Sequence, residues 1–218
     1  MAGFGPQGAP LPDFDLHAPL LSLPRIMGTT LENVPVNVPY LSADEDLVES
    51  WRRELRSRPG VKVGIAWQGN PGYSNDQFRS IPLARFAPLA QAGVELISLQ
   101  KGLGSEQLLE VADQFSVTTL GGSVDREHGP FMDTAAIMKN LDLVVTSDSA
   151  IAHLAGALGV NVWLALTVAP DWRWLYDRED SPWYPTMRLF RQSSLDDWGP
   201  VFIRMAEELA RMVADTAP

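Results

Sequence analysis

Apolar residues recur along this chain in two alternating rhythms. Short runs rich in β-branched residues, VKVGIAW at 61–67, VELISL at 94–99, LDLVV at 141–145 and VNVWLAL at 160–166, are separated by stretches where apolar positions return every three or four residues. Brief continuous apolar runs read as buried strands, and the wider spacing reads as helices facing a core. Their alternation is the pattern of βαβ units, so the fold class expected is α/β, a Rossmann-like parallel sheet flanked by helices.

Punctuation between the runs places the elements. Ser42 with Glu45 forms a capping-box pattern, and Leu47, Trp51 and Leu55 follow at helical spacing, predicting a helix from about 43 to 57 that Pro59-Gly60 ends. A helix entered at Pro82 runs to Ala92, and one capped by Ser105 runs to about Gln114. Ser116 to Leu120 predicts a short third strand, and Asp133 caps a helix through about Met138. The run at 141–145 is broken by Thr146, Ser147, Asp148 and Ser149. Asp148 or Ser149 can cap the next helix, with Ile151, Leu154, Ala155 and Leu158 on one face and Gly159 as a left-handed stop. A last strand at Met187 to Phe190 and a terminal helix from about Trp198 to Ala214 complete the series.

The flanks differ in character. Residues 1–12 are Gly- and Pro-rich and read as a flexible lead. Residues 13–41 carry repeated prolines without a period and read as an extended strap from a preceding domain, which leaves 42–218 as the α/β domain.

Composition narrows the function classes. At 218 residues with 45% apolar content the chain can bury a sizeable core. A net charge of −10 argues against sequence-independent nucleic-acid binding, because a phosphate backbone would be repelled. The arginines at 52, 53, 56 and 58 interleave with Glu49 and Glu54 and read as a solvated helix face. No cysteine is present, which removes disulfides, thiolate nucleophiles and sulfur-ligated zinc, and the three histidines lie too far apart in sequence to suggest a metal motif. No apolar run approaches the roughly 20 residues that span a bilayer, and no basic and apolar leader opens the chain, so a cytoplasmic location is the default expectation.

In an open parallel sheet, ligands bind beyond the carboxyl ends of the strands. Four such loops carry polar detail. The loop at 68–80, QGNPGYSNDQFRS, offers Asn70, Asn75 and Arg79, whose guanidinium suits a phosphate. It lacks the third glycine of a dinucleotide fingerprint, and the chain has no G-K-[ST] pattern of a P-loop. The loop after the second strand presents Gln100 and Lys101, and the segment at 129–134 presents Asp133 and Thr134 toward a nucleoside. The turn after the fourth strand presents Asp148, Ser149, Ala150 and His153. Small residues in that first helical turn leave backbone N–H groups open to an anion, and His153 would donate toward it. A plain strand–turn–helix joint would have the same local spelling.

Taken together, VGIAWQGNPGYSNDQFRSIPL, VELISLQKG, FMDTAAIMKNLDLVVTSDSAIAHLAGALG and PDWRWLYDREDSPWYPTMRLFRQ resemble the C-terminal, donor-binding domain of bacterial heptosyltransferase-like enzymes of glycosyltransferase family 9. The version most similar is the one found behind tetratricopeptide repeats. The resemblance spans roughly residues 60 to 210. It implies one half of a GT-B architecture, a nucleotide-diphosphate sugar such as a UDP- or ADP-sugar as donor, and inverting transfer without a metal or further cofactor. By position, Asp148, Ser149 and His153 match the family's D-[ST]-x-x-x-H-L-A segment at the diphosphate. Arg79 matches the cation after the first strand, and Asp133-Thr134 lies near the expected nucleoside. Relatives usually carry a histidine after G-N-P, where this chain reads Gly72-Tyr73-Ser74. The acceptor domain, which supplies the general base in relatives, is too large for the residues before Val61, so the catalytic base is unassigned. Two other readings stay open: a non-catalytic nucleotide-sugar-binding or scaffold module, and a nucleotide-sugar epimerase, which would need cleft carboxylates.

Overall fold

The computed structural model describes residues 13–216. The expected flexible lead at 1–12 lies outside the described residues. The chain divides into two units, one ending at Pro35 and one beginning at Val36. In the first, a 3-10 turn at Leu20–Ser22 runs into a one-turn helix α1 (Leu23–Ile26) with Pro24 in its first turn, so the strap is not extended throughout.

In the second unit the described residues form one sheet of five parallel strands: β1 (Val61–Ala66), β2 (Val94–Ser98), β3 (Leu143–Ser147), β4 (Val162–Leu166) and β5 (Met187–Arg191). Their order is β2-β1-β3-β4-β5. Helices α2 (Glu45–Leu55), α3 (Asp76–Arg79), α4 (Gln107–Glu110), α5 (Met132–Met138), α6 (Ala150–Ala157) and α7 (Gly199–Thr216) join or cover them. β3 and β4 are buried along their whole length, as their unbroken apolar runs require of strands covered on both faces.

Alternation along each strand divides the core into two layers. Val144, Leu164 and Leu189 face α2, α5 and α6. Val63, Ile65, Val145, Trp163 and Phe190 face the 3-10 segment Leu83–Leu89 and the Val201, Phe202, Met205 and Leu209 stripe of α7. The end of the expected strap joins this unit: the N–H groups of Tyr40 and Leu41 donate to the Ala157 carbonyl at the C-terminus of α6.

Several predicted elements take other forms. The third strand is reduced to a single bridge, in which Thr118 pairs with Ile97 beside β2, and Gly121 with φ of 83° turns the chain away three residues later. The segment from Pro82 is a 3-10 helix, because Pro88 inside it has no N–H for an α-helical ladder. The helix after Ser105 shortens to the four residues of α4. Asp44, not Ser42, caps α2, accepting from the N–H groups of Asp46 and Leu47 at 3.0 Å each.

Candidate functional site

The strand order reverses between β1 and β3, because the chain leaves β1 toward β2 on one side and returns to β3 on the other. Loops leaving the carboxyl ends of those strands diverge, and an open crevice results. Here it has a volume of about 470 Å³. Gln68 to Pro71 and Arg79 line it from beyond β1, Gln100 and Lys101 from beyond β2, Phe131 from just before α5, Thr134 from α5, and Ser149 to Ile151 from the start of α6. Asn70, Arg79, Gln100, Lys101, Thr134, Ser149 and Ala150 of the sequence-predicted set therefore meet in one place. The amides of Ser149, Ala150 and Ile151 precede the first inward bond of α6, from the Ala152 N–H to the Ser149 carbonyl, and so remain open donors. Among the described residues, no Asp or Glu lines the crevice.

Arg79 is held from several sides. Its Nε donates to Asp76 Oδ1 at 2.9 Å, its Nη1 donates to the Asp148 carbonyl at 2.8 Å, and the Tyr73 ring lies 4.7 Å below it. Asp76 is buried and also accepts from Ser80 Oγ, which in turn accepts from the Gly69 N–H. Gly69 makes room for this cluster: a Cβ there would stand 2.3 Å from Asp76 Oδ1 and 2.7 Å from Arg79 Nη2. The guanidinium thus links the loop after β1 to the turn after β3 and is positioned before any ligand arrives. Asp76 escaped notice in the sequence because it lies within an ordinary polar loop.

The opposite wall is organised by a carboxylate the sequence did not single out. Asp125, at φ of 58°, accepts from the Thr134 N–H at 2.9 Å and from Thr134 Oγ1 at 2.6 Å, and its own N–H donates to Asp133 Oδ2 at 2.8 Å. Asp125 therefore holds the start of α5. Asp133, expected as the cap, is buried inside the first turn and accepts from Trp51 Nε1 and His128 Nδ1. Burial pushes its carboxyl up, but the hydrogen bonds from Trp51, Asp125 and His128 outweigh that and hold it below the usual aspartate value. The structure thus gives Asp133 a supporting place behind the crevice. Lys101 Nζ is drawn to the Val124 carbonyl and to Asp125. The Gln100 amide clamps two loops, accepting from the N–H groups of Trp67 and Gln68 and donating to the Gln68 and Leu103 carbonyls. Asn70 shapes its own turn by accepting from the Gly72 N–H. Phe131 precedes α5 at φ of 64°, a strained position for a bulky residue, and its half-exposed ring borders the crevice.

A second, larger cavity of about 790 Å³ adjoins the first, sharing Arg79. Tyr73, Asn75, Asp148, Asp171, Arg173 and Leu195 are among its lining residues, together with the loop that leaves β4. Arg173 was missed by sequence reasoning. It pairs with Asp171 at 3.2 Å, and its Nη1 lies 3.5 Å from His153 Nε2.

His153 does not line the crevice. Its ring stacks on Trp174, its Nδ1 lies 3.0 Å from Tyr184 Oη, and Asp148 Oδ1 is 4.0 Å from Nε2. A guanidinium can only donate, so the network assigns Nε2 as acceptor and Nδ1–H as donor to Tyr184. Burial holds its pKa below the ordinary histidine value; Asp148 raises it and Arg173 lowers it again. The neutral ring is therefore a brace between α6 and the loop at 171–184, in place of the anion donor expected from sequence. Tyr184 is kept protonated by burial and by its contact with Tyr40. Among the described residues, no group of three or more His, Cys, Asp or Glu side chains converges as a metal site would.

No protein-family model matches the chain. Its backbone does match that of E. coli ADP-heptose LPS heptosyltransferase II, with a TM-score of 0.60 at 18% identity, covering 84% of this chain and 56% of that one. The fold is heptosyltransferase-like. The glycosyl transferase family 9 structure from Veillonella parvula DSM 2008 matches at a TM-score of 0.53 and 15% identity, over 81% of this chain and 52% of its own. In sequence, Protein FlbA of Caulobacter vibrioides is 28% identical over 203 residues, which is 92% of this chain and 34% of FlbA. The chain therefore spans about a third of the length of FlbA and just over half of each of these two solved structures.

Proposed function

We propose that this chain is the donor-binding half of a GT-B glycosyltransferase and holds a nucleotide-diphosphate sugar in the crevice between β1 and β3. What carries the reading is the meeting of Arg79 with the open amides of Ser149, Ala150 and Ile151 in a crevice lined by no carboxylate. Fixed donors of this kind stabilise charge that grows on a departing phosphate and need no reorganisation when it forms. In the inverting reaction we envisage, an acceptor hydroxyl attacks the anomeric carbon while the nucleoside diphosphate leaves toward Arg79 and α6. The base that deprotonates the hydroxyl comes from a second domain, and no metal is required. Phe131 stacks on the nucleobase at the far wall.

Losing one charge-assisted hydrogen bond costs on the order of 1.5–3 kcal/mol, or roughly tenfold to a hundredfold in affinity. Arg79→Ala should weaken UDP or ADP binding by that factor in isothermal titration while the circular dichroism spectrum stays unchanged. Equal affinity in the two proteins would remove Arg79 from the site and the reading with it. The alternative, a non-catalytic nucleotide-sugar-binding or scaffold module, draws on the broad exposure of Trp172 and Tyr176 beside the larger cavity. It shares the binding site and differs only in turnover.

A further inference from the structure

The two adjoining cavities differ in charge. The crevice between β1 and β3 is lined by Arg79, Lys101 and open amides, with no Asp or Glu. The larger cavity is lined by Asp148 and Asp171 as well as by Arg79 and Arg173. A diphosphate brought against Asp148 and Asp171 would meet like charge in a partly desolvated space, whereas the crevice offers it donors alone. Of the two cations at the larger cavity, Arg79 is shared with the crevice, and Arg173 is engaged by a carboxylate of the cavity itself, Asp171. What remains available there is acceptor capacity on the carboxylates and an apolar wall of Leu166, Val168 and Leu195. Carboxylates accepting from hydroxyls beside apolar surface is the chemistry that recognises an uncharged, polyhydroxylated ring.

Resting on the donor reading above, we infer that the larger cavity is the glycosyl subsite and that Asp171 is a specificity-determining residue for the sugar. The boundary between the subsites is Arg79 with Asp148: phosphate lies on the α6 side of it and sugar on the side of the loop after β4. Asp171 is well placed for this, since its Oδ1 already accepts from the Arg173 N–H and its second oxygen has no described partner. Ala169 lies on the same rim with an exposed side chain, where bulk would enter the cavity without disturbing the core.

The test is isothermal titration of the wild-type chain, Asp171→Asn and Ala169→Trp with three matched pairs: UDP and UDP-glucose, ADP and ADP-glucose, GDP and GDP-mannose. Asn retains the turn-capping oxygen, so Asp171→Asn should fold normally. For the nucleotide that binds, both variants should keep the affinity of the free diphosphate within about twofold and weaken the sugar conjugate by about tenfold, the scale of one charge-assisted hydrogen bond. Variants that weaken both members of a pair equally, or neither, would overturn the subsite assignment and leave the donor crevice standing. If none of the three diphosphates binds the wild-type chain, the donor reading itself fails and this inference goes with it.

Discussion

Gly69 and His153 show how much of the site depends on single atoms. Adding a methyl group at Gly69 places carbon within 2.3 Å of Asp76 Oδ1 and 2.7 Å of Arg79 Nη2, so the pair must move apart. Gly69→Ala should therefore weaken nucleoside diphosphate binding by about tenfold, as if part of the arginine contact were lost. Unchanged affinity would mean that Arg79 needs no such cradle. His153 gives a pH signature. Its native pKa is held below 6.5, so below that pH the unfolded chain binds the proton more readily. Stability should consequently fall as pH drops through about 6.5, and urea midpoints at pH 7.5 and 5.5 should differ more for the wild type than for His153→Gln. Parallel losses in the two proteins would contradict a partly buried neutral imidazole. At this scale the sequence was partly legible. Arg79, Ser149 and Ala150 were readable because strand ends and helix starts have local spelling. Asp76, Asp125 and Arg173 were not, because a carboxylate that caps a helix nine residues away, or an arginine that meets a histidine twenty residues earlier, leaves no local signal.

Packing of whole elements decides the next set of effects. α6 lies against Tyr184, and a Cβ at Gly156 would stand 2.5 Å from its ring. Replacing glycine by alanine inside a helix normally stabilises by about 1 kcal/mol, while forcing atoms into a filled core costs about 1–3 kcal/mol. Overpacking should win, and Gly156→Ala should lower stability by about 1 kcal/mol in urea denaturation. A more stable variant would show that the Tyr184 contact yields easily. α5 supplies a second case. Asp125→Ala removes the acceptor for the Thr134 N–H and hydroxyl, so a loss of about 1–2 kcal/mol is expected, with looser positioning of Phe131 at the crevice. The strands were legible because buried parallel strands carry unbroken apolar runs. Short helices were less so: four-residue turns such as α3 and α4 have no room for a period, and Pro88 turns an apparent helix into a 3-10 segment.

For the molecule as a whole, the parallel sheet and its β1/β3 reversal bring distant loops together, and that convergence was readable in outline from the alternation of runs. The division of the site into an acid-free crevice and an acid-lined cavity was not, since it depends on which side of Arg79 each loop falls. A chain of net charge −10 nonetheless gathers Arg79, Lys101 and the open amides at the start of α6 in one crevice, which suits the small anionic ligand proposed better than a polyanion. No described helix is long and apolar enough to cross a membrane. The most direct measurement is thermal unfolding of the chain with UDP, ADP or GDP at millimolar concentration and a chelator present. A ligand at a hundred times its Kd stabilises by about 2.7 kcal/mol, which for a domain of this size is roughly 5–10 °C. At least one of the three should raise the melting temperature by that order, and Arg79→Ala should remove most of the rise; no shift with any of them would contradict a nucleotide-diphosphate site between β1 and β3.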